Sequence, residues 1–154
     1  MNLYLVQHGK AVAKEVDPDR SLTEQGRVEV KKVAAFIERL NLSVGWVWHS
    51  GKTRAAQTAG ILAEVVKADK GVLQRDGLAP NDDVTNLADE LNAANQDIMI
   101  VGHLPFLSKL ASLLISGSES TNVVAFENGG VVSIRRSEQN QWQLSWMATP
   151  GLLG

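Results

Sequence analysis

The chain contains no cysteine, which excludes disulfide cross-links, thiolate metal sites and a thiol nucleophile. Aromatic residues are few, at 5%, and only four prolines interrupt 154 residues. No apolar run approaches the ~20 residues needed to cross a bilayer, and no charged segment at the amino end leads into a long apolar one. An excess of positive charge is also missing. The formal net charge is −2, which gives no support for a broad nucleic-acid or anionic-membrane footprint. A soluble, cytoplasmic protein is the default expectation. Repeats, low-complexity segments and linker-like stretches are absent, so residues 1–154 are expected to form one domain. Its 44% hydrophobic content suffices for a sizeable core.

Histidine is scarce as well, but its placement is informative. Each of the three histidines stands directly behind a short apolar run that reads as a strand. His8 follows Leu3 to Gln7, His49 follows Val44 to Trp48, and His103 follows Ile98 to Gly102. Strand and helix patterns alternate along the chain, which predicts a mostly parallel sheet covered by helices on both faces, a three-layer α/β/α sandwich. In such sheets ligands bind in the crevice outside the carboxyl ends of the strands, where all three imidazoles would lie.

The helices are read from apolar spacing and start signals. Ser21 with Glu24 as a capping box, or Thr23 as cap, opens a helix with Val30, Val33, Ala34, Ile37 and Leu40 at helical spacing. A second carries Ala55, Thr58, Ala59, Leu62, Val65 and Val66 on one face. A third, capped by Asp82 or Asp83, turns Val84, Leu87, Ala88 and Leu91 inward. Pro105 suits the first position of a fourth, whose buried face is Leu107, Leu110, Ala111 and Leu114. The last quarter changes character: Val131 to Arg135 and Trp142 to Met147 read as an antiparallel hairpin, with Trp142, Leu144 and Trp146 alternating onto one face. The four tryptophans suit core and sheet cover.

Chemistry concentrates at the strand ends. Gly9 beside His8 leaves room for a ligand to approach the backbone. Ser50 to Arg54 leads from the second strand into a helix whose first turn carries Arg54, and Gly102-His103-Leu104-Pro105 opens another helix. Two helix amino ends, a guanidinium and two imidazoles suit a tetrahedral anion, and phosphate matches that set best. A zinc hydrolase with His8, His49 and His103 as ligands is the competing reading. It lacks a close His pair and leaves the Arg54 stretch without a part.

Four segments, in this order, carry a family resemblance: Gln7-His8-Gly9, Leu22-Thr23-Glu24-Gln25-Gly26, the stretch Ser50 to Ala59 with its Arg-Ala-x-Gln-Thr-Ala core, and Val101-Gly102-His103-Leu104-Pro105. Together they resemble the signatures of the histidine phosphatase superfamily. The short chain without a cap insertion is similar to its smallest branch, the SixA-type phosphohistidine phosphatases. The resemblance implies a phosphoglycerate mutase-like fold and a phosphatase that needs no metal or cofactor. His8 would be the nucleophile, attacking as neutral imidazole and handing the phosphoryl group to water. Arg54 and His103 would hold the phosphoryl oxygens, joined by Gln7, Ser50 and the backbone N–H of Leu104. The implied partner is a phosphorylated protein, a histidine-containing phosphotransfer domain. A small-molecule phosphomonoesterase is the alternative substrate class, and the sequence leaves the oligomeric state open.

Three departures qualify that picture. The family has Arg where this chain has Gln7, and a neutral hydrogen bond in place of a charged one should cost roughly 1 kcal/mol or somewhat more, about tenfold in rate. Lys10 or Lys52 would restore the charge, or both are solvated surface groups. A module that binds phosphate or a partner with little activity is the non-enzymatic reading of Gln7. Gly51 stands where the family usually has Pro, an expected change in loop stiffness. Finally, no Glu occurs in Asp76 to Asp83, where larger members carry a general acid. Asp82 or Asp83 would serve, or they cap and turn the chain; a phosphohistidine leaving group needs less acid help. His49 either touches the pocket rim or is structural, and Ser50 either binds a phosphoryl oxygen or fixes its loop.

Overall fold

A computed structural model describes all 154 residues. In chain order the elements are β1 (Asn2–Gln7), α1 (Glu24–Glu38), β2 (Ser43–Val44), β3 (Trp46–His49), α2 (Thr53–Ala63), β4 (Lys67–Ala68), β5 (Val72–Gln74), α3 (Thr85–Ala93), β6 (Ile98–Gly102), α4 (Phe106–Ser116), β7 (Val131–Arg136) and β8 (Trp142–Ala148). Six strands form the main sheet in the order β5-β3-β6-β1-β7-β8. The pairs β5–β3, β3–β6 and β6–β1 are parallel, whereas β7 and β8 run antiparallel. This is the α/β/α sandwich with a carboxyl-terminal hairpin, and no helix is long and apolar enough to cross a membrane.

The uninterrupted apolar runs of β1 and β6 are explained by burial on both faces. Leu3, Leu5, Ile98 and Ile100 pack against α3 and α4, while Tyr4, Val6, Met99 and Val101 pack against α1 and α2. Register then positions the site. Gln7 pairs with Gly102, so His8 and His103 emerge side by side from neighbouring strands. His49 pairs with Val101 on the other flank of β6, which brings Ser50 to the same edge.

Several local expectations are revised. Thr23, not Ser21, caps α1, accepting from the N–H of Gly26 at 2.8 Å, because Ser21 is taken by the Asp17 carboxylate. Leu40 lies beyond the end of α1 and is 41% exposed. The run Val44 to Trp48 splits into β2 and β3 at Gly45, against which the Gln96 side chain packs. Pro105 occupies the cap position of α4 rather than its first turn. The hairpin carries a bulge opposite Ser133 and Ile134. One extra residue flips the side-chain alternation. Trp142 therefore faces the α3–α4 core, Trp146 packs towards Tyr4 and Phe36 on the other, and Leu144 is exposed.

Candidate functional site: a cationic cradle at the strand ends

The carboxyl ends of β1, β3 and β6 bring His8, Arg54, Ser50 and His103 together. The rings of His8 and His103 lie 5.1 Å apart between centroids. Arg54 Nε donates to His8 Nε2 at 3.3 Å, and Ser50 Oγ lies 2.6 Å from His103 Nε2. His8 Nδ1 stands 2.7 Å from the Gly9 carbonyl oxygen. A carbonyl only accepts, so Nδ1 carries the proton and the Nε2 lone pair points at the guanidinium. That is the tautomer a nucleophilic imidazole requires.

Proton affinities follow from the surroundings. Burial holds the His8 imidazole below its ordinary range; the Gly9 carbonyl opposes this, and Arg54 and Arg20 reinforce it. His103 is buried and its pKa falls to about 3, chiefly through burial, then through His8, Arg54, Lys52 and Arg20. Arg54 is itself shifted down by burial and by Arg20. Two guanidiniums and two imidazoles thus face one another with no carboxylate paired to either arginine. Such a cluster is relieved by an anion.

The loops are fixed by groups whose role the sequence did not disclose. Thr58, fully buried on α2, accepts from the Gly9 N–H at 3.0 Å and donates to the Arg54 carbonyl at 2.8 Å. Gln57 accepts from the Leu22 N–H at 2.8 Å. The Gln-Thr of the Arg-Ala-x-Gln-Thr-Ala stretch is therefore a clamp that ties the cradle helix to the loops after β1 and before α1. On the far side of β1, Asn128 Nδ2 donates to the His8 carbonyl at 3.0 Å. The space that the missing Gly9 side chain leaves is filled by α1 rather than held open for a ligand, contrary to expectation: a Cβ there would meet Val30, so the glycine serves packing. Gly26 likewise admits the backbone of Lys10.

Arg20 is a cation of the cradle that the sequence pattern did not reveal. Its backbone takes the left-handed conformation (φ 52°), and its Nε donates to the Val12 carbonyl at 3.2 Å. Both features aim a residue from an irregular loop back towards the cradle. Lys10 does not join it. Its ammonium pairs with Glu29 at 3.3 Å beside a separate cavity lined by Gln7, Glu29, Glu127 and Asn128. Gln7 itself keeps a buried, unpartnered Oε1 in the side chain that faces this cavity. Lys52 lies at the start of α2, exposed but close enough to depress His103.

His49 acts on the loop that follows it, where its Nδ1 accepts from the Gly51 N–H at 3.1 Å. Gly51 sits at φ 90°, which proline cannot adopt, and proline has no N–H to give. The departure at position 51 is thus a change of loop path, coupled to His49. No group of three His, Cys, Asp or Glu side chains is arranged to hold a metal ion, so the three histidines do not converge as a ligand set. Asp82 accepts from the Ala79 N–H and Asp83 from the Thr85 N–H and hydroxyl, as turn and cap. Both line a cavity that also touches Ser50, but the bonds to Thr85 hold Asp83 below the usual carboxylate range, which suits a cap better than an acid.

Comparison with known proteins identifies the fold and the family. Over its full length the chain superimposes on a complete chain of the protein histidine phosphatase SixA complexed with tungstate, with a TM-score of 0.86 at 22% identity. A protein from Agrobacterium tumefaciens designated SixA superimposes with a TM-score of 0.77 at 22% identity, covering 96% of this chain and 97% of that one. A phosphoserine phosphatase from Entamoeba histolytica, solved with phosphoserine, gives 0.71 at 18% identity and 97% coverage of each. An uncharacterized protein of Picosynechococcus sp. is 30% identical over 143 residues, 88% of this chain and 85% of that protein. Residues 3–79 match the histidine phosphatase superfamily (branch 1), and the chain belongs to that superfamily.

Proposed function

We propose that this single-domain protein is a phosphatase that acts through a phosphorylated His8, on phosphohistidine carried by a protein such as a histidine-containing phosphotransfer domain. The observation that carries the reading is the His8 ring: Nδ1 is committed to the Gly9 carbonyl, and the Nε2 lone pair is turned towards Arg54 beside His103. Nε2 attacks phosphorus, a P–N bond to His8 forms, and the P–N bond to the substrate imidazole breaks. Water then attacks phosphorus, the bond to His8 breaks, and inorganic phosphate leaves. Arg54 and Arg20 offset the charge on the equatorial oxygens, while Ser50, His103 and the N–H of Leu104 supply hydrogen bonds.

The substrate class is supported by what surrounds the cradle. Asp82 and Asp83 are engaged as turn and cap, which favours a leaving group that needs little protonation. The absence of a cap insertion leaves room for another domain's helix. Phosphate release from a phosphorylated phosphotransfer domain tests the reading: wild type should release phosphate, and His8→Ala should not. Faster turnover of sugar phosphates or p-nitrophenyl phosphate than of phosphohistidine would point to a phosphomonoesterase instead. The non-enzymatic reading is favoured by Gln7 alone. It requires near-zero turnover by wild type and a large gain in Gln7→Arg.

A further inference from the structure

Alongside the cradle runs a groove of about 400 Å³ with no hydrophobic lining, walled by Lys14, Arg20, Lys52 and Arg54. Arg54 belongs to both groove and cradle, so the groove adjoins the place where a phosphoryl group on His8 would sit. The chain as a whole is slightly acidic, which makes four cations along one groove a local concentration rather than a general trait. None of the four has a carboxylate within ion-pair distance; the chain's ion pairs use Lys10, Lys67 and Arg75 instead. The one acidic wall residue, Asp19, donates its backbone N–H to Asp17 and forms no pair with the four cations. At the same end α2 begins without a side-chain cap, which adds the positive end of the helix dipole.

We propose that this groove binds acidic side chains that flank the phosphohistidine on its protein substrate. The inference rests on the phosphatase reading and adds the chemistry of the substrate's surface to it. Arg20 and Arg54 meet the phosphoryl end, while Lys14 and Lys52 reach outward to Asp or Glu on the neighbouring turn. Charge complementarity of this kind speeds encounter and selects partners. It also predicts sensitivity to ionic strength, because exposed lysines are screened within about 10 Å at 0.1 M salt.

Two histidine peptides of one length, one with Asp and Glu around the histidine and one with Asn and Gln, give the test. Binding is read by fluorescence anisotropy on the His8→Ala protein, which does not consume phosphorylated peptide. The acidic phosphopeptide should bind about tenfold tighter at low salt, and Lys14→Glu should remove about twofold to fivefold of that preference, the range exposed charge pairs supply. Added salt should erode the preference in parallel. Equal binding of both peptides, or a preference that neither Lys14→Glu nor salt alters, overturns the proposal. Phosphate release from the same peptides by wild type is scored separately. Binding selectivity without turnover sinks the phosphatase reading and leaves the groove assignment standing; turnover without selectivity does the reverse.

Discussion

At the scale of single residues, His8 is defined by three contacts: a carbonyl on Nδ1, a guanidinium on Nε2, and a second imidazole alongside. Burial and the two arginines keep it neutral below the ordinary imidazole value of 6.5. Only the neutral ring has a lone pair to offer, so kcat/KM on a small phosphoryl substrate should stay level as pH falls through 6.5 and decline at more acidic pH. A falling limb centred on 6.5 would show that the surroundings do not shift the nucleophile. His8, Arg54 and His103 were legible as candidates because each ends a strand or starts a helix within a recognisable segment. Arg20 was not, since its relevance comes from a left-handed backbone that turns a loop residue back towards the strand ends.

Among the elements, α2 is the one on which the site depends most. Its first turn presents Arg54, and one turn later Thr58 holds the Gly9 N–H that follows His8. Thr58→Val keeps the shape of the side chain but removes the acceptor, stranding a buried N–H at a cost of about 1–3 kcal/mol. Urea denaturation should register that loss, and turnover should fall with it because the Gly9 carbonyl no longer sits firmly against His8 Nδ1. A variant with unchanged stability would mean that the hydrogen bond is replaced by solvent. Helices were readable because apolar residues recur at helical spacing over several turns, and β1 and β6 because both faces are apolar. The short strands β4 and β5 carry no such signal: β5 is exposed at all three positions and exists through pairing with β3. The bulge in β8 was equally hidden, since it depends on which residue of β7 lies opposite, and it sends Trp146 to the face away from Trp142.

At the scale of the molecule, the cradle makes folding sensitive to pH. His8 and His103 resist protonation in the folded protein, His103 down to about 3, whereas in the unfolded chain both take up protons near 6.5. Between those limits the unfolded state binds more protons, so stability is full above 6.5 and is lost as pH falls towards 3. Urea midpoints measured from about pH 7 down to about pH 4, across the ordinary imidazole pKa of about 6.5, should decline. His103→Gln should flatten the slope; an unchanged slope would detach it from that histidine. Tungstate or phosphate should oppose the decline by binding only the folded cradle. The sandwich and the common edge at which His8 and His103 emerge were implied by alternating elements; the strand order was not, and which cations share that edge was decided by loop paths that no periodicity encodes.

The central claim is that His8 itself carries the phosphoryl group during turnover. The most direct measurement is to mix the protein with a phosphoryl donor, quench in alkali, and locate the label by mass spectrometry. An acid-labile phosphoryl group on His8 in wild type, with none in His8→Asn, is the predicted result. Full turnover by His8→Asn, or label on a different residue, would contradict it.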